Sequence, residues 1–322
     1  DRRQRQMCIR DRDIGLFSRV NVSLDWYTRT TKDLLMSKQL NSISGFSSLL
    51  TNVGQMRNTG VELEVRSNNI KTKDFSWTTA FNLSHNKNKI LKLADLPWFV
   101  DGRYVRKEGY PFNTIYLREY AGVDPETGSA LYYDNQQDEN GNYTKNKVTD
   151  PGQASPIPLK DITPTISGGF MNTFNYKFID LSFNLSYSFG GYSYDNASYI
   201  LQDDGYSVIS NKSTEQRRRW QKPGDITDVP RFVYGNKKGG NYNSSRAIHS
   251  TDHIRLKSLI LGLNAPKAWL QKLGIGNARI YFSGTNLLTW AAYDQYDPEM
   301  SGVVGFYTPP LKTYAFGLEL KF

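Results

Sequence analysis

Apolar and polar residues alternate along much of the chain. The clearest run lies between residues 181 and 189, where leucine, phenylalanine or tyrosine occupies every second position and serine or asparagine lies between them. Successive side chains of a strand point to opposite faces, so this alternation predicts a strand with one apolar face and one polar face. The last eleven residues, KTYAFGLELKF, repeat the pattern and end on Phe322.

The same reasoning predicts eight long strands, each of roughly 10–13 residues. They cover about 17–28, 59–69, 75–86, 163–175, 178–190, 253–264, 278–290 and 313–322. An ordinary strand has about 5–6 residues, whereas a tilted strand needs about 9–11 residues to cross a bilayer. The predicted lengths therefore favour membrane-spanning strands. Between Leu256 and Leu259 the alternation slips by one residue, which predicts a β-bulge.

The connections between these strands alternate between short and long. The short ones cover about 70–74, 176–177 and 265–277, and the long ones cover about 29–58, 87–162, 191–252 and 291–312. Outer-membrane barrels have short periplasmic turns and long extracellular loops. The pattern therefore predicts an all-β fold, an antiparallel transmembrane β-barrel, with its C-terminus on the periplasmic side.

Composition and charge exclude several other classes. The chain has 322 residues, a formal net charge of +9, 13% aromatic residues and one cysteine. No apolar run approaches the ~20 residues of a membrane helix, which excludes helical spans. Lysine and arginine are scattered except in RRRW at 217–220, so the charge is typical of solvated loops rather than of a nucleic-acid interface. Cys8 alone cannot form an intrachain disulfide.

The first thirteen residues, DRRQRQMCIRDRD, differ from the rest of the chain. They show neither strand nor helix periodicity and lack the apolar segment of a signal peptide. They resemble translated sequencing-adapter scars at the ends of gene fragments. We therefore predict that residues 1–13 are not native and lie outside the fold, and that residues 14–322 form the barrel segment.

Few residues are candidates for catalysis or metal binding. His249 and His253, in HSTDH, have a spacing that suits a metal on a helix, but they lie at a predicted junction of loop and strand with no third ligand nearby in sequence. No nucleophile triad, phosphate loop or CxxC motif is present. The sequence therefore predicts no catalytic residue, no metal site and no cofactor.

Aromatic residues in the long connections are the better candidates for ligand contact, because sugar rings and peptide side chains stack on such rings. The candidates are Trp98, Tyr104, Tyr110, Trp220, Tyr293 and Tyr296. Packing within the loops, or membership of the aromatic girdle at the membrane interface, is the alternative interpretation of each. In the motif YDPE, we expect Pro298 to fix a turn and Asp297 to bond nearby backbone amides.

Five stretches, in order, resemble the C-terminal barrel of SusC/RagA-type TonB-dependent outer-membrane receptors. They are NTGVELEV (58–65), SGGFMNTFNYKFIDLSFNLSYSFGG (167–191), RRRWQKPGDITDVPRF (217–232), RLKSLILGLNAPKAWLQKLGI (255–275) and GNARIYFSGTNLLTWAAYDQYDPEM (276–300). The resemblance runs from about residue 17 to the end. An acidic segment that reads DxNxDG in the family is degraded here to DNQQDENGN (134–142), which argues against calcium binding at this segment.

The resemblance implies a function for a longer protein. Receptors of this family have barrels of about 22 strands, preceded by a plug domain and by a segment that the TonB complex grips. A SusD-like surface lipoprotein caps the barrel, and the pair imports oligosaccharides or peptides across the outer membrane of Bacteroidota-like Gram-negative bacteria. Neither the plug nor the TonB-binding segment is recognisable in this sequence.

Barrels of bacterial outer membranes also resemble one another in ending on an aromatic residue, which the barrel-assembly machinery reads. The resemblance assigns this role to the alternating residues Phe316, Leu318, Leu320 and Phe322, on the lipid-facing side of the last strand.

Two other readings of the residues stay open. The first is a self-contained eight-stranded barrel that acts as an adhesin or structural protein, since barrels of that size can close. The second is a soluble carbohydrate-binding β-sandwich.

Overall fold

The computed structural model describes residues 5–40, 42–46, 48–93, 97–236, 243–272 and 274–322. The strands described are β1 (Arg5–Leu16), β2 (Val20–Gln39), β3 (Ser48–Lys71), β4 (Phe75–Leu93), β5 (Trp98–Asp101), β6 (Tyr104–Lys107), β7 (Thr114–Leu117), β8 (Tyr120–Val123), β9 (Ala130–Tyr133), β10 (Lys147–Val148), β11 (Ile157–Asp161), β12 (Ile166–Tyr176), β13 (Ile179–Phe189), β14 (Tyr192–Asp195), β15 (Ile248–Ser250), β16 (His253–Asn264), β17 (Asn277–Ala291), β18 (Gly302–Val304) and β19 (Thr313–Lys321). The helices are α1 (Asn196–Leu201) and α2 (Lys267–Lys272), with 3-10 turns at Ser42–Ser44, Pro151–Gln153, Thr214–Arg218 and Ser245–Ala247.

Nine long strands form one antiparallel sheet, the wall. Its order is β1-β2-β3-β4-β12-β13-β16-β17-β19. Eight of these strands are the eight that alternation predicts. The predicted bulge is also confirmed, since the pairing of β16 with β17 shifts register between Leu256 and Ser258. The fold is therefore the predicted one, a segment of an antiparallel β-barrel wall.

The ninth strand corrects one expectation. Residues 5–13 belong to β1, which pairs with β2 from Arg5↔Thr31 to Leu16↔Val20, so the expectation that this stretch lies outside the fold is wrong. Backbone pairing needs no alternation of side chains, which explains why periodicity missed the strand. Residues 1–4 lie outside the described part of the chain. Whether residues 1–13 are native stays a prediction.

Cross-strand register assembles an apolar row across eight strands of the wall. Each member pairs directly with the next, from β1 to β17. The row is Ile14, Val22, Val65, Phe81, Phe170, Leu185, Leu256 and Leu288. Directly opposed side chains on one face lie close enough to pack, so the row is a continuous apolar band.

The neighbouring row, one residue along each strand, lies on the other face and contains no large apolar residue. Its members are Asp13, Ser23, Glu64, Asn82, Gly169, Ser186, Arg255 and Thr289. A wall with one apolar face and one polar face is the arrangement expected of a barrel that separates lipid from an aqueous lumen.

The connections between wall strands differ strongly between the two ends of the sheet. At one end lie turns at 17–19, 72–74 and 177–178 and the segment 265–276 that contains α2. At the other end lie the connections 40–47, 94–165, 190–252 and 292–312. The predicted loop 29–58 is mostly strand, because β2 and β3 continue to pair as far as Gln39↔Ser48. The polar run RTTKD at 29–33 interrupts the alternation and hid this extension from the sequence pattern.

The compact cores lie in the long connections and where these connections meet the end of the wall. Three small sheets, β5-β6-β7-β11, β8-β9-β10 and β15-β14-β18, form there. The buried apolar clusters of the described residues centre on Ile90, Ile115 and Tyr132. In the described residues, no helix is long and apolar enough to cross a membrane.

The wall is open within the described part of the chain. β1 and β19 end the strand order and do not pair with each other. A self-contained small barrel would need that pairing, and a β-sandwich would need a second large sheet packed on the first. Neither arrangement is seen in the residues described.

Candidate functional site

The three longest connections pack into one body at one end of the wall, which we call the rim. The strand β14 pairs antiparallel with β15 and parallel with β18, so the second and third of these connections share a sheet. The first joins them through a core in which Ile115 and Leu117 pack with Tyr194 and Ala247. The rim is thus a folded unit, and its aromatic residues have fixed neighbours.

Tyr293 and Tyr296 hold the rim together. The hydroxyl of Tyr293 donates to Asp195 Oδ2 at 2.9 Å, and the hydroxyl of Tyr296 is hydrogen-bonded to that of Ser193. The His249 ring stacks on Tyr293, with centroids 3.7 Å apart and planes 2° from parallel. Burial raises the pKa of Tyr293, and the nearby carboxylate of Asp195 raises it further. Both tyrosines therefore pack within the loops, as in the alternative interpretation.

The YDPE motif is anchored to the wall by a buried arginine. Arg255 Nη2 lies 2.7 Å from Asp297 Oδ2, and its Nη1 lies 3.0 Å from Glu299 Oε2. The Arg255 side chain is only 3% exposed, and Lys257, at the bulge, adds an ion pair with Glu299 at 2.6 Å. The other oxygen of Asp297 accepts from the backbone N–H of Glu299 at 2.9 Å, as expected from the sequence. We call this group the YDPE anchor.

Trp220 and Tyr104 also serve packing. The Trp220 indole donates to the Pro125 carbonyl at 2.8 Å and lies against Gly128. Any Cβ at Gly128 would come 2.4 Å from the indole, and the backbone there has φ +68°, so only glycine fits. Tyr104 packs against the core around Ile115.

Trp98 is the predicted contact residue that opens onto a cleft. It is 45% exposed, and its ring centroid lies 5.9 Å from that of Tyr116. Tyr110 lies outside the lining and is covered by Lys107, whose Nζ is 5.1 Å from the ring centroid. The structure therefore does not gather the six predicted residues at one site. Tyr116, which shares the cleft with Trp98, was missed because nothing in the sequence distinguishes it from the other aromatic residues of the long connection 87–162.

A second buried ion pair stabilises the rim and was also missed by the sequence. Arg246 donates to both oxygens of Asp204, at 2.5 and 3.2 Å, and Gln216 Nε2 donates to Asp204 Oδ1 at 2.9 Å. The Asp204 side chain is fully buried. Residues 204 and 246 are far apart in the sequence and belong to no shared motif, so the ion pair is visible only in the folded structure.

The carboxylates of Asp134 and Asp138, in the acidic segment 134–142, accept hydrogen bonds from residues close by in the sequence. Asp138 Oδ1 accepts from the backbone N–H groups of Asn140 and Asn142, at 2.9 and 2.8 Å. Asp134 accepts from Thr144 Oγ1 and Asn146 Nδ2. In the part of the chain that is described, no three His, Cys, Asp or Glu side chains are grouped to hold a metal ion.

Comparison with known proteins identifies the family. No protein-family model matches the chain. It is 33% identical to TonB-dependent receptor P3 of Formosa agariphila over 96% of its length, and 28% identical to TonB-dependent receptor SusC of Bacteroides thetaiotaomicron over 96%. The solved structure of the RagAB peptide transporter superposes on 99% of the chain with a TM-score of 0.88 and 30% identity. The chain belongs to the SusC-like TonB-dependent receptors.

This SusC-like chain covers only part of its relatives. It spans 33% of the P3 sequence, 31% of SusC and 35% of the matched RagAB chain. The superposition covers 99% of the chain, so it includes both the wall and the rim. TonB-dependent receptors are outer-membrane transport proteins, and the chain is not an enzyme.

Proposed function

We propose that this chain forms a C-terminal part of the barrel of an outer-membrane importer, which takes up oligosaccharides or peptides with energy from TonB. The observation that carries the proposal is the superposition of 99% of the chain on the RagAB peptide transporter at 30% identity. The apolar row meets lipid, and the polar row lines the lumen. The C-terminus lies on the periplasmic side, so the rim faces outside the cell.

A surface lipoprotein of the SusD type is the partner that this proposal implies. The folded rim supports it, because a lipoprotein that caps a barrel needs a defined surface to meet. TonB would act on a part of the receptor that this sequence does not contain. The cargo enters through the rim, whose exposed aromatic and amide side chains suit polar molecules with ring surfaces.

Purification of the complete receptor tests the proposal. A tagged receptor, extracted from outer membranes in mild detergent, should co-purify with a SusD-like lipoprotein that mass spectrometry identifies. Cells should also accumulate the cargo only when the inner membrane is energised. A receptor that purifies alone, and whose cargo crosses equally well in de-energised cells, would contradict the proposal.

A further inference from the structure

The four-stranded sheet β5-β6-β7-β11 of the rim has one buried face and one open face. Ile115 and Leu117 of β7 point into the core around Tyr194. The residue between them, Tyr116, therefore points the other way. Register places Tyr116 opposite Pro158, which gives the open face a floor of ring surfaces.

Trp98 lies on the same open face. It pairs with Lys107, and both residues line a cleft of about 450 Å³ together with Tyr116. This volume falls in the range of small-molecule sites. The walls come from the neighbouring segments of the rim. They include Asn135, Gln136, Gln137, Tyr143, Ser155 and Pro156.

Aromatic faces and carboxamides in one cleft favour a particular class of ligand. We infer that this cleft binds a saccharide unit of the cargo, which stacks on Trp98 and Tyr116 while side-chain amides bond its hydroxyl groups. The two rings are tilted by 49° to each other, so they form an angled platform rather than a flat slot. The paired strands hold both rings in fixed positions. These side chains therefore lose little conformational entropy when a ligand binds.

A peptide fits the cleft less well than a saccharide. Peptides commonly dock by adding a strand to a free sheet edge, where unpaired backbone groups give affinity. The floor here is a sheet face, and its central strands β6 and β7 are each paired with a strand on both sides. Pro156 and Pro158 also provide no N–H donor. Recognition must therefore come from side chains, and these are rings and carboxamides.

Lys107 adds a preference for acidic sugars. Among the described lining residues it carries the only charge. Its Nζ lies 5.1 Å from the centroid of the Tyr110 ring. A uronic-acid carboxylate or a sulfate ester bound on the platform would gain a charge-assisted hydrogen bond.

This inference rests on the proposed function, because it assigns a contact to imported cargo. The test is binding of the complete receptor, purified in detergent, to an array of neutral and acidic oligosaccharides. A mixture of tryptic casein peptides is assayed in parallel. Trp98→Ala and Tyr116→Ala are compared with Trp269→Ala, which alters a tryptophan that is 68% exposed in α2, at the opposite end of the wall.

We expect the wild-type receptor to bind at least one oligosaccharide and both cleft variants to bind it up to about tenfold more weakly. The Trp269→Ala variant should bind like the wild type. Lys107→Gln should weaken binding of acidic oligosaccharides and leave neutral ones unchanged. Equal binding by the Trp98→Ala and wild-type receptors, binding of casein peptides alone, or binding of no oligosaccharide would overturn the inference.

Uptake of the oligosaccharide by cells with an energised inner membrane distinguishes failure of this inference from failure of the proposed function. If Trp98→Ala leaves uptake and oligosaccharide binding unchanged, the import function stands and the cleft assignment falls. If the variant loses oligosaccharide binding but the wild-type receptor shows no energised uptake, the cleft stands and the import function falls.

Discussion

At the residue scale, the polar residue Asn172 lies on the apolar face of β12, between Phe170 and Phe174. Its side-chain oxygen accepts from Trp77 Nε1 at 2.8 Å and from Thr79 Oγ1 at 2.7 Å. These donors lie about a hundred positions away in sequence, so only the register explains how the polar group is accommodated on an apolar face.

Substitution of Leu185 tests which face of the strand β13 meets lipid. It lies in the apolar row between Phe170 and Leu256, so Leu185→Arg should place a charge in lipid and cost about 2–4 kcal/mol of unfolding free energy. Asn184→Arg, one residue away on the polar face, is the matched control and should cost far less. Urea titrations of the receptor refolded in lipid vesicles give both values. A larger loss for the Asn184 variant would mean that the faces are reversed.

Protonation of His249 makes the stability of the rim depend on pH. Burial lowers its pKa below the ordinary 6.5, partly opposed by Asp195. Below about pH 6.5 the unfolded state takes up a proton that the folded rim excludes, so the rim is fully stable above this pH and loses stability as the pH falls. Hydrogen exchange in β14 and β15, corrected for intrinsic rates, should quicken between pH 7.5 and 5.5. His249→Phe keeps the stacking on Tyr293 and should remove this dependence, whereas an unchanged dependence would assign it to another group.

At the element scale, strand positions could be predicted but pairing extensions and loop structure could not. Periodicity located β12, β13 and β19 within a few residues. It could not show which glycine faces which ring, although these contacts help to fix the register. Tyr281 lies directly over Gly317, for example, and a Cβ there would approach the ring to 2.2 Å.

The YDPE anchor is predicted to hold the last long connection onto the wall. Arg255→Gln removes one partner of a buried ion pair and leaves the Asp297 carboxylate without its arginine. The free energy of local unfolding of this connection should therefore fall by about 3–5 kcal/mol. Hydrogen exchange of residues 293–304 should then quicken strongly. Arg66→Gln, which breaks an exposed pair with Glu64, is the control and should change exchange little. Similar exchange in both variants would show that other contacts hold the connection.

At the scale of the whole molecule, the wall could be predicted and the rim could not. Eight of the nine wall strands repeat one alternating pattern, and their predicted lengths of roughly 10–13 residues are enough to cross a bilayer. The rim depends on contacts such as Tyr293 with Asp195 and Arg246 with Asp204, between residues far apart in sequence and without periodicity. The predicted ligand contacts were therefore scattered by the fold, and Trp98 alone among them opens onto the cleft.

Phe322 and the residues of β19 that alternate in phase with it, Phe316, Leu318 and Leu320, are predicted to direct assembly of the receptor. Phe322 follows the last strand and is 87% exposed, so its deletion removes little packing and should hardly change the stability of the finished barrel. If the residue is an assembly signal, the yield of complete receptor in the outer membrane should nevertheless fall several-fold. Yield by immunoblot and stability by heat-modifiable gel migration separate the two effects. Normal yield after Phe322→Ser would leave the residue with an interfacial role only.

Topology in living cells tests the central claim most directly, that this chain crosses the outer membrane with its rim outside. Single cysteines are introduced into a complete receptor that carries Cys8→Ser, at Glu139 and Lys222 in the rim and at Lys73 and Gln271 in the short connections. A membrane-impermeant maleimide should label the rim positions in intact cells and the short connections only after the outer membrane is permeabilised. Labelling of Lys73→Cys and Gln271→Cys in intact cells, with the rim positions protected, would contradict the account.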